Sequence, residues 1–179
     1  KCEASLISFS ETPEEGKMAV QKQLPFNPDF IKIWYIVTHG KNPSDSAKKF
    51  LPIIKAIVEE SHKNNLKVAV HATEKIAAQF AVENKCDYLV HEINNEIVND
   101  EFLFLLKKNN VIVCPTLIVS DNYSKTFTQQ NQFSYYDLIK SNPEQISSLY
   151  DLSHLPDTNL VEQLKKRGKL KQTALIKSD

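Results

Sequence analysis

The chain has 179 residues, 41% of them hydrophobic and 25% charged, and its 22 basic and 22 acidic side chains cancel to a formal charge of zero. This size and composition suit one globular domain with room for an appendage, and they exclude wholesale disorder and collagen-like repeats. The balanced charge leaves no electrostatic footprint for nucleic acid or anionic lipid, and no apolar run approaches the roughly 20 residues that a membrane-spanning helix needs.

In chain order, Thr12-Pro13-Glu14-Glu15 predicts a helix start, with Thr12 as cap, Pro13 in the first turn and Glu15 reaching back; the helix runs to about Gln23. Residues 29–37 (DFIKIWYIV) predict a strand. Phe50, Ile53, Ile54, Ile57 and Val58 form a helical stripe. Because Pro52 suits only a first turn, that helix is expected from near residue 49 to near Asn64. Residues 66–72 predict a second strand, and Thr73 caps a helix striped by Ile76, Ala77, Phe80 and Ala81. Residues 88–93 predict a third strand. A helix capped by Asn99 or Asp100 carries Phe102, Leu103, Leu105 and Leu106, and residues 111–119 predict a fourth strand. Strands alternating with helices mark βαβ units on a parallel sheet, and the near-continuous apolar strands predict a sheet covered on both faces. Beyond Ser120 the chain turns polar, with short helices expected near 142–150 and 159–167. Residues 1–120 therefore read as the α/β part, and 121–179 as a polar, mainly helical excursion of the same domain.

The three cysteines, Cys2, Cys86 and Cys114, are far apart and form no CxxC pair, so neither a disulfide framework nor a zinc knuckle is indicated. Cys86 and Cys114, beside strand-like runs, read as small core residues. With three glycines there is no phosphate-binding loop, and a single arginine, Arg167, weakens any phosphate clamp further. No intact signal peptide is visible at KCEASLISFS, and the compartment stays open between cytoplasm and periplasm.

Three polar residues interrupt apolar strands: Lys32 in DFIKIW, His71 in VAVHA and His91 in YLVHE. Alternation sets Lys32 against Ile31 and Ile33, His71 against Val68 and Val70, and His91 against Val90. If the Val/Ile face packs on the helices, all three point to the other face, and both histidines sit at the carboxyl ends of their strands, where α/β folds hold ligands. Each has a bland reading as a hydrogen-bonded core histidine or an edge lysine. Together they place an amine and two imidazoles, the commonest metal-binding side chain, on one surface. His39 in VTHG follows the first of these strands and faces the same rim. Glu74, three residues after His71, suits either acid–base work or a helix first turn. His62 reads as a partner of its helix dipole, and His154 has no evident role.

These segments, with LKVAVHATEKIAAQFAVENKCDYLVH at 66–91 and EFLFLLKKNNVIVCPTL at 101–117, resemble the amidohydrolase superfamily, closest to its imidazolonepropionase-like and Xaa-Pro dipeptidase-like branch, over roughly residues 12–120. The resemblance implies parallel βα units forming part of a (β/α)₈ TIM barrel, about strands three or four to seven. It implies hydrolysis of an amide or other C–N bond in a small molecule or short peptide, using one or two divalent metals, with zinc expected and manganese or iron open. Carried over to this chain, Lys32 resembles the lysine that is carboxylated to bridge two metals, His71 the fifth-strand ligand and His91 the sixth-strand ligand. The family's first-strand HxH pair and eighth-strand aspartate have no counterpart here, so the chain is expected to be a fragment, to bind metal weakly and to be inactive alone. The polar stretch 121–157 is expected to shape substrate choice. The alternative is a catalytically inactive scaffold or binding module that self-associates into a homo-oligomer through open sheet edges.

Overall fold

The computed structural model describes residues 8–37, 42–93 and 95–151, with single positions at 159, 162, 163 and 166. His39, His154, Cys2 and most of the helix expected at 159–167 lie outside the described residues. The chain divides into two compact units, Lys1–Thr116 and Leu117–Asp179.

The first unit opens with α1 (Pro13–Gln23), whose cap Thr12 accepts a hydrogen bond from the Glu15 amide. A 3₁₀ turn, Leu24–Phe26, leads to β1 (Phe30–Trp34). Then come α2 (Pro43–Lys63), β2 (Lys67–His71), α3 (Lys75–Glu83), β3 (Tyr88–Val90), α4 (Asp100–Lys108) and β4 (Ile112–Cys114). The strands pair in chain order, each parallel to the next. All four are shorter than expected. The helix α2 begins earlier than the proline rule predicts, because Asn42 caps it by accepting from the Ser44 amide at 3.0 Å and Pro43 takes the first turn. Pro52 then sits inside the helix. Its missing N–H would have met the carbonyl of Lys48, and both residues are on the exposed side.

Among the described residues of the first unit, the helices pack on one face of the sheet. Ile33, Tyr35, Val37, Val68, Val70 and Leu89 turn to that face and join Ile54, Val58, Ala77, Ala81 and Phe102 in one core. The Tyr35 hydroxyl donates to the Ala47 carbonyl at 2.7 Å and fixes α2 to the sheet. Gly16 lets α1 approach α2 closely, since a β-carbon there would lie 2.9 Å from Ile57 Cγ1. The opposite face is open: Phe30 is 48% and Trp34 65% exposed, and Cys114, expected in the core, is exposed as well while Cys86 is buried. The double covering expected from the apolar strands is thus not seen among the described residues of this unit.

Three helix-to-strand turns share one design. Asn65, Lys85 and Asn110 have left-handed backbones, at φ 58, 64 and 53. The amides of Asn65, Lys85 and Asn110 donate to His62, Val82 and Lys107, and the next amides (Leu66, Cys86, Val111) reach back to Ser61, Ala81 and Leu106. This is the Schellman closure of a helix end. In each case the preceding asparagine, Asn64, Asn84 or Asn109, donates from its side chain to the carbonyl four residues earlier, at 2.8–2.9 Å.

In the second unit, α5 (Ile118–Phe127) contains Ile118 and Val119, the end of the run 111–119 expected as a strand; a short apolar run does not separate helix from strand by periodicity. Ser134 and Asp137 form a capping box on α6 (Tyr135–Lys140), and Asn142 caps α7 (Pro143–Ser148). Asn131 and Gln129 donate to the Leu149 carbonyl, joining the end of α5 to the end of α7.

Candidate functional site

The carboxyl ends of β1, β2 and β3 bring together the three polar residues singled out in the sequence. In the parallel register Lys32 lies opposite Ala69, and Trp34 opposite His71, so Lys32 and His71 share the open face. His91 reaches that face by another route than alternation. Val90 is the residue opposite His71, so a straight strand would turn His91 toward the helices. Instead β3 ends at Val90, and His91 takes φ 79 while its amide donates to the Cys114 carbonyl at 2.8 Å. The bend brings the two imidazoles edge to face, with centroids 4.5 Å apart.

Both rings are held below the ordinary imidazole pKa. For His71 the causes are burial, then the positive charges of His91 and Lys32; for His91 they are burial, then Lys32, with Glu92 pulling the other way. Lys32 thus stands near enough for its charge to bear on both rings. At neutral pH each ring is mostly neutral and keeps a lone pair, the form that coordinates cations. Among the described residues no three His, Cys, Asp or Glu side chains assemble a complete metal cage. Two neutral imidazoles facing one space, with an amine beside them, are nevertheless a fitting part of a donor set for a divalent ion.

The site also contains a residue that the sequence reading did not single out. Thr116, just beyond β4, lies 2.8 Å through Oγ1 from His91 Nδ1. It is β-branched yet has φ 48, a backbone region such residues rarely enter. The available signal was Pro115-Thr116 closing an apolar strand at the same end as the histidines. His71, His91 and Thr116 each stand six residues beyond the left-handed residue of the turn that precedes their strand.

Glu74 is 3% exposed; Thr73 Oγ1 donates to its Oε1 at 3.1 Å, while Oε2 has no partner among the described residues. Thr73 does not cap α3. Asn95 does so from the following loop, accepting from the Lys75 amide at 2.9 Å. His62 lies in the last turn of α2, as expected, and in addition bonds Asp87 Oδ2 at 2.8 Å at the amino end of the sheet. Lys67 Nζ donates to Asp87 Oδ1 at 2.6 Å and the Val68 amide to Oδ2 at 2.8 Å.

No family model matches the chain, and no curated protein does. Solved structures do. An Xaa-Pro dipeptidase with bound methionine in its active site superposes with a TM-score of 0.54 at 18% identity, over 96% of this chain and 39% of that one. Ochratoxinase of A. niger gives 0.51 at 20%, over 79% and 30%. An amidohydrolase gives 0.54 at 21%, over 89% and 36%. The parallel sheet and its helices are thus a portion of a (β/α)₈ barrel. This chain spans between 30% and 39% of the length of those three.

Proposed function

We propose that the chain forms part of a metal-dependent hydrolase acting on an amide or other C–N bond, in a short peptide or a small cyclic amide. The observation that carries this reading is the approach of His71 and His91 within 4.5 Å at the ends of adjacent parallel strands, on the face that also bears Lys32. The two imidazoles would hold a divalent ion, with zinc first and manganese or iron as alternatives, and further donors would come from barrel strands outside these 179 residues. Such an ion supplies Lewis acidity, polarising a carbonyl and bringing the pKa of water near 7. Lys32 would act as its carboxylated form. In that form the ammonium would first give up one proton, and the resulting amine would bond to the carbon of carbon dioxide as one C=O π bond opens and a second proton leaves, so that a cation beside the imidazoles becomes an anion. Glu74, buried with one free oxygen, and His39 are the candidate substrate contacts.

The test is metal content after expression with added zinc, manganese or iron, followed by direct titration of the purified chain. Bound metal that drops on His71→Ala and again on His91→Ala is expected. Less than about a tenth of an equivalent, unchanged by either substitution, overturns the reading.

A second reading, a self-associating α/β module, is favoured by a separate observation. Among the described residues the sheet ends in β1 and β4 with no further strand paired to either, and an apolar groove of 510 Å³ runs beside β1, lined by α1 and α2. Exposed edges of this kind recruit further strands. Light scattering during gel filtration tests it: a dimer or larger species supports association, and a monomer across the concentration range removes it.

A further inference from the structure

We infer that Thr116 is a positioning residue: its hydroxyl accepts a hydrogen bond from His91 Nδ1–H and so leaves the lone pair on Nε2. The inference deepens the metal reading and rests on it for its purpose, though not for its geometry.

A neutral imidazole carries one proton on one of two nitrogens, and its neighbours decide which. His91 Nδ1 has one partner, Thr116 Oγ1 at 2.8 Å, and Nε2 has none among the described residues. A hydroxyl can donate or accept, so this contact is compatible with either tautomer, but only one of them makes His91 a ligand through Nε2. The backbone argues for that one. Two non-glycine residues adopt left-handed conformations to make the contact, His91 at φ 79 and Thr116 at φ 48. Strain of this kind persists where the surroundings over-determine it and is concentrated at functional sites. Bringing a hydroxyl to the back of a ring is what histidine ligands need, since the second nitrogen's partner fixes both ring orientation and tautomer. The turn at Thr116 belongs to the same unit as His91, and the Cys114 carbonyl two residues earlier already holds the His91 amide at 2.8 Å. The ring and the bend are therefore fixed from one strand end.

The experiment uses the ¹⁵N-labelled 179-residue chain and long-range ¹H–¹⁵N correlation, which distinguishes a protonated ring nitrogen from a bare one. The wild type is expected to show protonated Nδ1 and bare Nε2 at His91. Thr116→Val, nearly equal in shape, should lose that pattern in favour of protonated Nε2, and its affinity for zinc should drop about tenfold or more. Thr116→Ser should keep both. A wild-type ring already protonated on Nε2 overturns the inference, and so does a valine variant that leaves the pattern intact. If the valine variant does not fold, the wild-type spectrum and the serine variant still decide. Failure of the metal reading looks different: no variant, wild type included, binds zinc, while the tautomer pattern is still read.

Discussion

The two ends of the sheet are built on opposite principles. At the amino end, three turns repeat one design, and the charges there cancel: Asp87 accepts from Lys67, from His62 and from the Val68 amide. At the carboxyl end each turn is individual. β3 breaks at His91, Thr116 closes β4 in a strained conformation, and α3 borrows its cap from Asn95. There, three nitrogen bases share a face and two of them keep free lone pairs. Barrel folds separate their duties in this way, with stability at the amino face and chemistry at the carboxyl face. The difference teaches that regular turns mark where the fold is secured, and irregular ones where it is committed to something else.

The comparison breaks most visibly at Asp87. Asp87→Ala leaves an amide, an ammonium and an imidazole without their acceptor, and should cost about 2–3 kcal/mol of stability in urea unfolding. A loss under about 0.5 kcal/mol would show that the amino end is not the secured one. The pH dependence follows from the same carboxylate. Burial pushes its pKa up, but the hydrogen bonds from Lys67, His62 and Val68 outweigh it and hold the group below its ordinary value. A lowered folded pKa means that its stabilising contribution is complete above the unfolded value of about 3.9 and disappears as the pH falls through the folded one. Unfolding measured from pH 5 downward should therefore lose a component that Asp87→Asn lacks. The carboxyl end should respond through its backbone. His91→Gly and His91→Ala both lose the ring's contacts, but only glycine relieves the left-handed backbone, so the glycine variant should be the more stable of the two by about 1 kcal/mol. Equal midpoints for the two would show that φ 79 stores nothing. The smallest expected effect lies back at the amino end, where Lys85→Gly removes a β-carbon from a left-handed position and should stabilise by about 0.5–1 kcal/mol, read as a shift in thermal midpoint.

The two ends were also unequally legible in the sequence. Local chemistry announced itself: Thr12-Pro13 set the start of α1, and Asn99 the start of α4, through caps confined to a few residues. The shared face of Lys32 and His71 followed from strand alternation. What the sequence did not show depended on partners distant in the chain. His62 finds Asp87 across 25 residues, and Asn95 caps a helix that begins 20 residues before it. The facing of His91 depended on a bend that alternation cannot contain, and Thr116 carried no signal beyond its proline. The repeated turns were readable in retrospect, as NNL, NKC and NNV directly after helical stripes, although asparagine or lysine in place of glycine concealed them.

Those turns also act as a ruler. Each resets the backbone to the same starting conformation, and the sixth position onward is where His71, His91 and Thr116 emerge. A strand kept to this measure delivers its tip residue to the same level as its neighbours' tips. Deleting one residue between Lys85 and His91 would move the imidazole away from its neighbour. For protein engineering, the implication is that new donors belong at that sixth place, and that the count leading up to it should be left alone.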